Sequence, residues 1–255
     1  MSDRELSLGE HLQELRRRLF ISVIALVITS AVSFAFFRQI IDLLVLPARD
    51  LGEVQGLQLV YTEVTEMLST SIKVSSLAGF ILAFPVILYQ TIRFVAPGLT
   101  DKEMRLLFLF LPGTLLAFAG GVAFGYFVMT PPALRFLLTF GNDVATPMIR
   151  ISNIVNLMIR LLFWMGVTFE TPLVVYLLSQ LRIVNARSFA HFRRFWLVIA
   201  FILAAIITPT FDPVNQAMVA VPLLVLYEVG VLLAKLSERG RQQTTETITP
   251  ISGAG

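Results

Sequence analysis

Carboxylates are the groups in this chain with chemistry to offer, and three of them stand in unusual company. Glu170 sits in the run Phe163-Trp164-Met165-Gly166-Val167-Thr168-Phe169-Glu170-Thr171-Pro172, within a stretch apolar enough to cross a bilayer. A crossing helix needs about 20 apolar residues. A carboxylate at that depth costs about 2.5–3.5 kcal/mol on insertion scales, and a proline two residues later removes a helical hydrogen bond and bends the rod. Such a segment should face protein, water or a partner rather than lipid. Its acid can act as a proton carrier, a docking point or a structural hydrogen-bonding group. Glu103 closes Thr100-Asp101-Lys102-Glu103, a capping box in which hydroxyl and carboxylate cross-bond to backbone N–H groups. The cap alone explains Glu103; the chemical alternative is a carboxylate that receives an arginine from a visiting peptide. Glu14 precedes Arg18 by four residues, the spacing of a local ion pair on a helix.

Other chemistry is missing. With no cysteine there is no disulfide, thiolate zinc site or cysteine nucleophile, and His11 and His191 alone make no metal site. Neither a Walker pattern nor a nucleophile elbow occurs. The reading is therefore non-enzymatic, with no cofactor and no nucleic-acid partner, and any driving energy comes from the membrane potential or from partner subunits. The rival reading is a secondary transporter or channel that uses Glu170 as a coupling-ion site. No internal repeat supports it.

The elements that must position these acids are helices in a membrane. The composition is 56% hydrophobic and only 15% charged, which places the chain among polytopic membrane proteins. We expect an all-α fold with spans at 19–37, 67–93, 104–128, 153–181, 195–208 and 214–235. An amphipathic helix over 1–18 precedes them, capped by Ser7-Leu8-Gly9-Glu10 and striped by Leu8, Leu12, Leu15 and Leu19. A polar tail, 236–255, follows and reads as disordered. Between spans, 38–66 reads as a loop holding a short interfacial helix over 40–46 that Pro47 stops. Thr130-Pro131-Pro132 reads as the cap and first turn of a separate surface helix over 131–140. The segment 182–194 reads as a basic connection, leaving the fifth span at 195–208 only about 21 Å long against a hydrocarbon core of about 30 Å. That shortfall predicts local thinning of the bilayer. Fourteen Lys and Arg fall on one side of the spans, and only Arg38, Arg49, Arg135 and Arg150 on the other, which puts both termini in the cytoplasm. Lys73 and Arg160 fall inside spans, within snorkelling distance of the outer surface. Gln216, in an apolar run, suggests a helix partner.

Several ordered motifs resemble one family. His11-Leu12-Gln13-Glu14-Leu15-Arg16-Arg17-Arg18-Leu19 looks like its N-terminal signature. Pro85-Val86-Ile87-Leu88-Tyr89-Gln90, Phe94-Val95-Ala96-Pro97-Gly98-Leu99 and Glu103 look like its first cytoplasmic loop. Phe169-Glu170-Thr171-Pro172, Thr208-Pro209 with Asp212 and Gln216, and Tyr227-Glu228 follow in order. Together they are similar to the TatC family, the multispanning receptor subunit of the twin-arginine protein translocase. The resemblance implies six spans in a concave, glove-like arrangement and binding of the twin-arginine signal peptides of folded export substrates. By it, Glu103, Glu14, Phe94, Arg16 and Leu19 would form the signal-peptide surface, and Glu170 would sit in the concave groove. Gln216 and Thr208 would meet single-span TatA/TatB-type subunits within a larger, self-associating complex. Transport across the cytoplasmic (inner) membrane would draw on the proton-motive force. Asp101 departs from the family pattern and adds negative charge beside Glu103.

Overall fold

Helices form wherever the apolar runs allow, and in places they run through the expected breaks. The computed structural model describes residues 8–50, 59–95, 100–139, 148–181, 183–208 and 213–248. Ser7, the Pro97-Gly98 turn, Asp212 and the end of the tail lie outside them, as do the side chains of Asp101 and Lys102. Among the described residues, six helical stretches are long and apolar enough to cross a bilayer: Gly9–Ala35, Glu66–Val95, Glu103–Thr139, Ile151–Gln180, Arg187–Ile207 and Pro213–Leu236. The chain divides into two compact units, Met1–Phe163 and Trp164–Gly255.

In the first unit α1 (Leu8–Ala35) continues without a break from the surface segment into the span. A one-residue turn at Phe36 leads to α2 (Phe37–Asp50), which is longer than the half-turn helix expected and carries Pro47 inside it. Proline supplies no N–H to the carbonyl four residues back, here Leu43. The hydroxyl of Tyr126 takes that place, donating to the Leu43 carbonyl at 2.7 Å. A donor from another helix thus satisfies the carbonyl, and the proline does not end α2.

α3 (Glu66–Val95) packs along α1. At Gly79 the two backbones nearly touch: a Cβ there would lie 2.6 Å from Ser30 Cα, and Thr29 Oγ1 donates to the Gly79 carbonyl at 2.8 Å. Small residues permit this approach, the usual device for helix packing in lipid. α4 (Asp101–Phe124) starts on the expected capping box. It then widens into a π-turn over Gly125–Met129 and continues as α5 (Thr130–Thr139). This corrects the separate surface helix. Thr130 is fully buried in helical conformation, and its hydroxyl donates back to the Gly125 carbonyl at 2.8 Å. Pro131 and Pro132 remove two successive donors, and the wider turn beneath them absorbs the mismatch.

At the end marked by Arg150, Val60 bridges to the start of α6 (Ile151–Phe169), with Val60 N–H to the Ile149 carbonyl and Ile151 N–H to the Val60 carbonyl, both 3.1 Å. Nearby, the Glu66 carboxylate accepts from Ser152 Oγ at 2.5 Å and from the Thr62 N–H at 2.8 Å. The second unit holds α7 (Thr171–Gln180), α8 (Ala186–Ile207) and α9 (Pro213–Ile248). α8 has 22 residues, about 33 Å at 1.5 Å per residue, because its first turns absorb the basic segment read as a connection. The helix is therefore long enough to cross, which corrects the length argument for a thinned bilayer at this span. α9 carries helical backbone past Lys235 to Ile248. It packs against α7 and α8, approaching α7 tightly at Gly230, where a Cβ would lie 3.1 Å from Pro172 Cα.

Candidate functional site

The end of α1 that carries the three arginines meets the last turns of α3. Arg18 is the connector: its Nε donates to Glu14 Oε1 at 2.6 Å, and its Nη1 donates to Gln90 Oε1 at 3.0 Å. The pair is about three-quarters shielded, with side-chain exposures of 23% for Arg18 and 25% for Glu14. That is well below the accessibility of a free surface pair, so the bonds carry more weight than the 0–1 kcal/mol or so of an exposed bridge. One turn outward, the His11 ring stacks on Phe94 with centroids 4.5 Å apart. Glu14 and Phe94 are thus brought to one corner. Gln90, Arg18 and His11 belong to it too, beyond the site residues that the sequence motifs imply. Gln90 is buried in an apolar run, and that placement is the signal that marks it.

Glu103 lies in the first turn of α4. Its Oε2 accepts from the Thr100 N–H and hydroxyl, each at 2.8 Å, and Thr100 Oγ1 accepts from the Glu103 N–H at 3.4 Å. α3 and α4 are joined nearby by Tyr89 against Phe108, with centroids 6.2 Å apart. Arg16 and Leu19 are exposed, as are Leu12 and Leu15. Leu12, Leu15 and Leu19 of the apolar stripe of α1 therefore remain uncovered by the described residues.

Glu170 occupies the break between α6 and α7. Its N–H reaches the Val167 carbonyl at 3.2 Å, and its own carbonyl accepts from the Val174 N–H at 2.9 Å. Pro172 cannot bond the Thr168 carbonyl, so the turn opens there. Both carboxylate oxygens are shielded from solvent, turned into protein rather than toward acyl chains.

In the second unit α8 and α9 are joined by polar contacts along their length. Arg193 pairs with Glu228 at 2.7 Å, and the Tyr227 hydroxyl donates to the Phe189 carbonyl at 2.7 Å. Trp196 stacks on Tyr227 at 4.8 Å. Gln216 Nε2 donates to the Phe201 carbonyl at 2.9 Å, so its amide already binds this hairpin. Thr208 is buried at the end of α8, its hydroxyl donating to the Ala204 carbonyl at 2.8 Å.

Comparison with known proteins settles the family. The family described as Sec-independent protein translocase protein (TatC) matches residues 10–222. The chain belongs to the TatC family. It is 38% identical over 235 residues to the Sec-independent protein translocase protein TatC of Carboxydothermus hydrogenoformans, covering 92% of this chain and 95% of the relative. It is 39% identical over 238 residues to that of Aquifex aeolicus, covering 92% and 98%. A crystal structure of the twin arginine translocase receptor TatC superposes with a TM-score of 0.82 at 39% identity, covering 90% of this chain and all of that one. The all-α fold with six candidate crossings is thus the fold of a TatC family member, a multi-pass membrane component of a protein translocase rather than a classical enzyme.

Proposed function

We propose that the chain is the signal-peptide receptor and core subunit of a twin-arginine translocase, exporting folded proteins across the cytoplasmic membrane on the proton-motive force. The observation that carries the receptor assignment is the corner where Arg18 bridges Glu14 and Gln90 beside the His11–Phe94 stack. A carboxylate already holding an arginine is pre-organised for one, and an incoming signal peptide would exchange its guanidinium for that of Arg18. Glu103 supplies the second acid, and its use of Oε2 in the cap fixes where the carboxylate stands. Arg16 and Leu19, both exposed, extend the surface toward the apolar part of the signal. The fourteen-to-four bias of basic residues supports placing this corner, and both termini, on the cytoplasmic side. Glu170 is proposed as the polar point of the groove along which cargo or partner helices pass. The region of Gln216 and Thr208 is proposed to receive TatA/TatB-type single-span subunits in a self-associating complex.

The test is site-specific crosslinking from position 103 to a signal peptide carrying two arginines, compared with the same peptide carrying two lysines. Strong crosslinking to the arginine peptide alone is expected, because the planar guanidinium engages a carboxylate through two parallel bonds that an ammonium cannot make. Equal crosslinking to both peptides would sink the assignment.

A further inference from the structure

Two cations of the first unit, Lys73 in α3 and Arg160 in α6, lie inside membrane-crossing helices, and neither has a carboxylate partner among the described residues. The two helices start from the same end, where Ser152 bonds Glu66. Counting residues along each, Lys73 and Arg160 lie about 10 Å and about 12 Å below that bond. On α3, Ser69, Lys73 and Ser76 recur at helical spacing and are all exposed. On α6, Asn153, Asn156 and Arg160 do the same, with Asn156 half-buried. Lys73 Nζ donates to Asn156 Oδ1 at 3.2 Å, which joins the two faces into one polar strip.

The strip is closed below. Phe80 of α3 meets Phe163 of α6 with ring centroids 5.1 Å apart, and Phe80 also packs on Phe84 and Phe118. Aromatic rings across its lower end make it a notch rather than a conduit. The acids at its upper end are already engaged. Glu66 accepts from Ser152 and Thr62, and Glu63 lies 3.9 Å from Arg150. Among the described residues the cations thus lack a counter-charge in surroundings where one matters most. Exposed apolar side chains, Leu68 and Ile72, stand beside them on α3.

We propose that this strip binds the phosphate of a phospholipid, drawn below its normal headgroup level to lie against Lys73 and Arg160, with its acyl chains running on past the notch toward the bilayer midplane. A phosphate is an anion that can accept from an ammonium, a guanidinium and the Asn153 amide together. Two positive charges for one phosphate favour an anionic lipid, such as phosphatidylglycerol, over zwitterionic phosphatidylcholine. A headgroup held at that depth thins its leaflet beside α3 and α6. The site stands apart from the receptor corner and does not depend on that reading.

The test is native mass spectrometry of the full chain, purified alone, with phosphatidylglycerol or phosphatidylcholine added. The wild type should retain one tightly held phosphatidylglycerol that both Arg160→Gln and the double variant Lys73→Gln/Arg160→Gln lose, with retention falling about tenfold or more. The charge-keeping pair Lys73→Arg/Arg160→Lys should keep the lipid, separating lost charge from lost fold. Because the chain has no cysteine, Ser76→Cys can carry a single nitroxide, which should broaden the lipid phosphorus resonance in the wild-type background and not in the double Gln variant. Equal retention by the wild type and Arg160→Gln would overturn the proposal, as would absence of broadening at position 76. No retention by the partner-free wild type would assign the strip to an acidic helix of another subunit and equally overturn it.

Discussion

Single residues in this protein often serve a local bond and a proposed recognition role at once, and the two can be separated by the choice of substitution. Glu103 both caps α4 and is proposed to read arginine. Glu103→Gln keeps an acceptor that can close the box, since glutamine serves at this position, while removing the charge. Glu103→Ala removes both and should destabilise by about 1 kcal/mol through the lost cap. The expected result is that both variants lose affinity for a twin-arginine peptide, whereas only the alanine variant melts earlier in detergent. Tyr126 offers a cleaner measurement. Its hydroxyl serves the Leu43 carbonyl that Pro47 leaves without a helical donor. Tyr126→Phe should therefore cost about 1 kcal/mol in an otherwise wild-type chain. In a Pro47→Ala background the residue 47 N–H returns to that carbonyl, so the same change should cost much less. A double-mutant cycle on thermal unfolding reads the coupling, and additive costs would show that the hydroxyl and the proline act independently.

At the scale of helices, contacts between backbones decide more than side-chain hydrophobicity does. Gly79→Ala should destabilise by about 1–3 kcal/mol, the range for overpacking, because its Cβ would meet the backbone of Ser30 rather than a side chain that can turn away. Gly120→Ala meets nothing within 4 Å and should be neutral or gain up to about 1 kcal/mol from helix propensity. Unfolding midpoints of the two variants in the same detergent check the contrast. This contrast also marks what was legible in the sequence. The apolar runs mark six stretches able to cross, and Thr100-Asp101-Lys102-Glu103 announces the capping box that opens α4. The joints were not legible, because each depends on a distant group. Pro47 reads as a stop until Tyr126 is seen to replace its donor, and Pro131-Pro132 reads as a helix start until the π-turn beneath it absorbs the missing bonds. The basic segment 182–194 reads as a boundary, yet α8 begins within it, because arginine is a good helix former and Arg193 is paired with Glu228 across the hairpin. At the proposed receptor corner the motifs mark Glu14 and Phe94, while the Arg18–Gln90 bond that joins α1 to α3 spans 72 positions and has no local signature.

For the molecule as a whole, the distribution of charge and the parity of the crossings make one joint statement about orientation. An even number of crossings would return the chain to the side on which it began, and the fourteen-to-four bias of basic residues predicts that this side is the cytoplasm. The contacts along the first unit agree with the pairing of ends this requires. The Val60–Ile149 clip and the Glu66–Ser152 bond gather the starts of α3 and α6 at one end, and the Arg18–Gln90 bond ties the start of α1 to the finish of α3 at the other. Because the natural chain has no cysteine, one introduced thiol reports one place. Tyr61→Cys, in the exposed segment before α3, should react with a membrane-impermeant maleimide in intact cells. Arg16→Cys, on the exposed face of α1, should react only after the membrane is opened. Inverted vesicles should reverse the pair, with position 16 labelled at once and position 61 protected. Labelling of position 16 in intact cells would place the Glu14–Arg18–Gln90 corner outside. A receptor for export signals cannot work from there, since its substrates are made within.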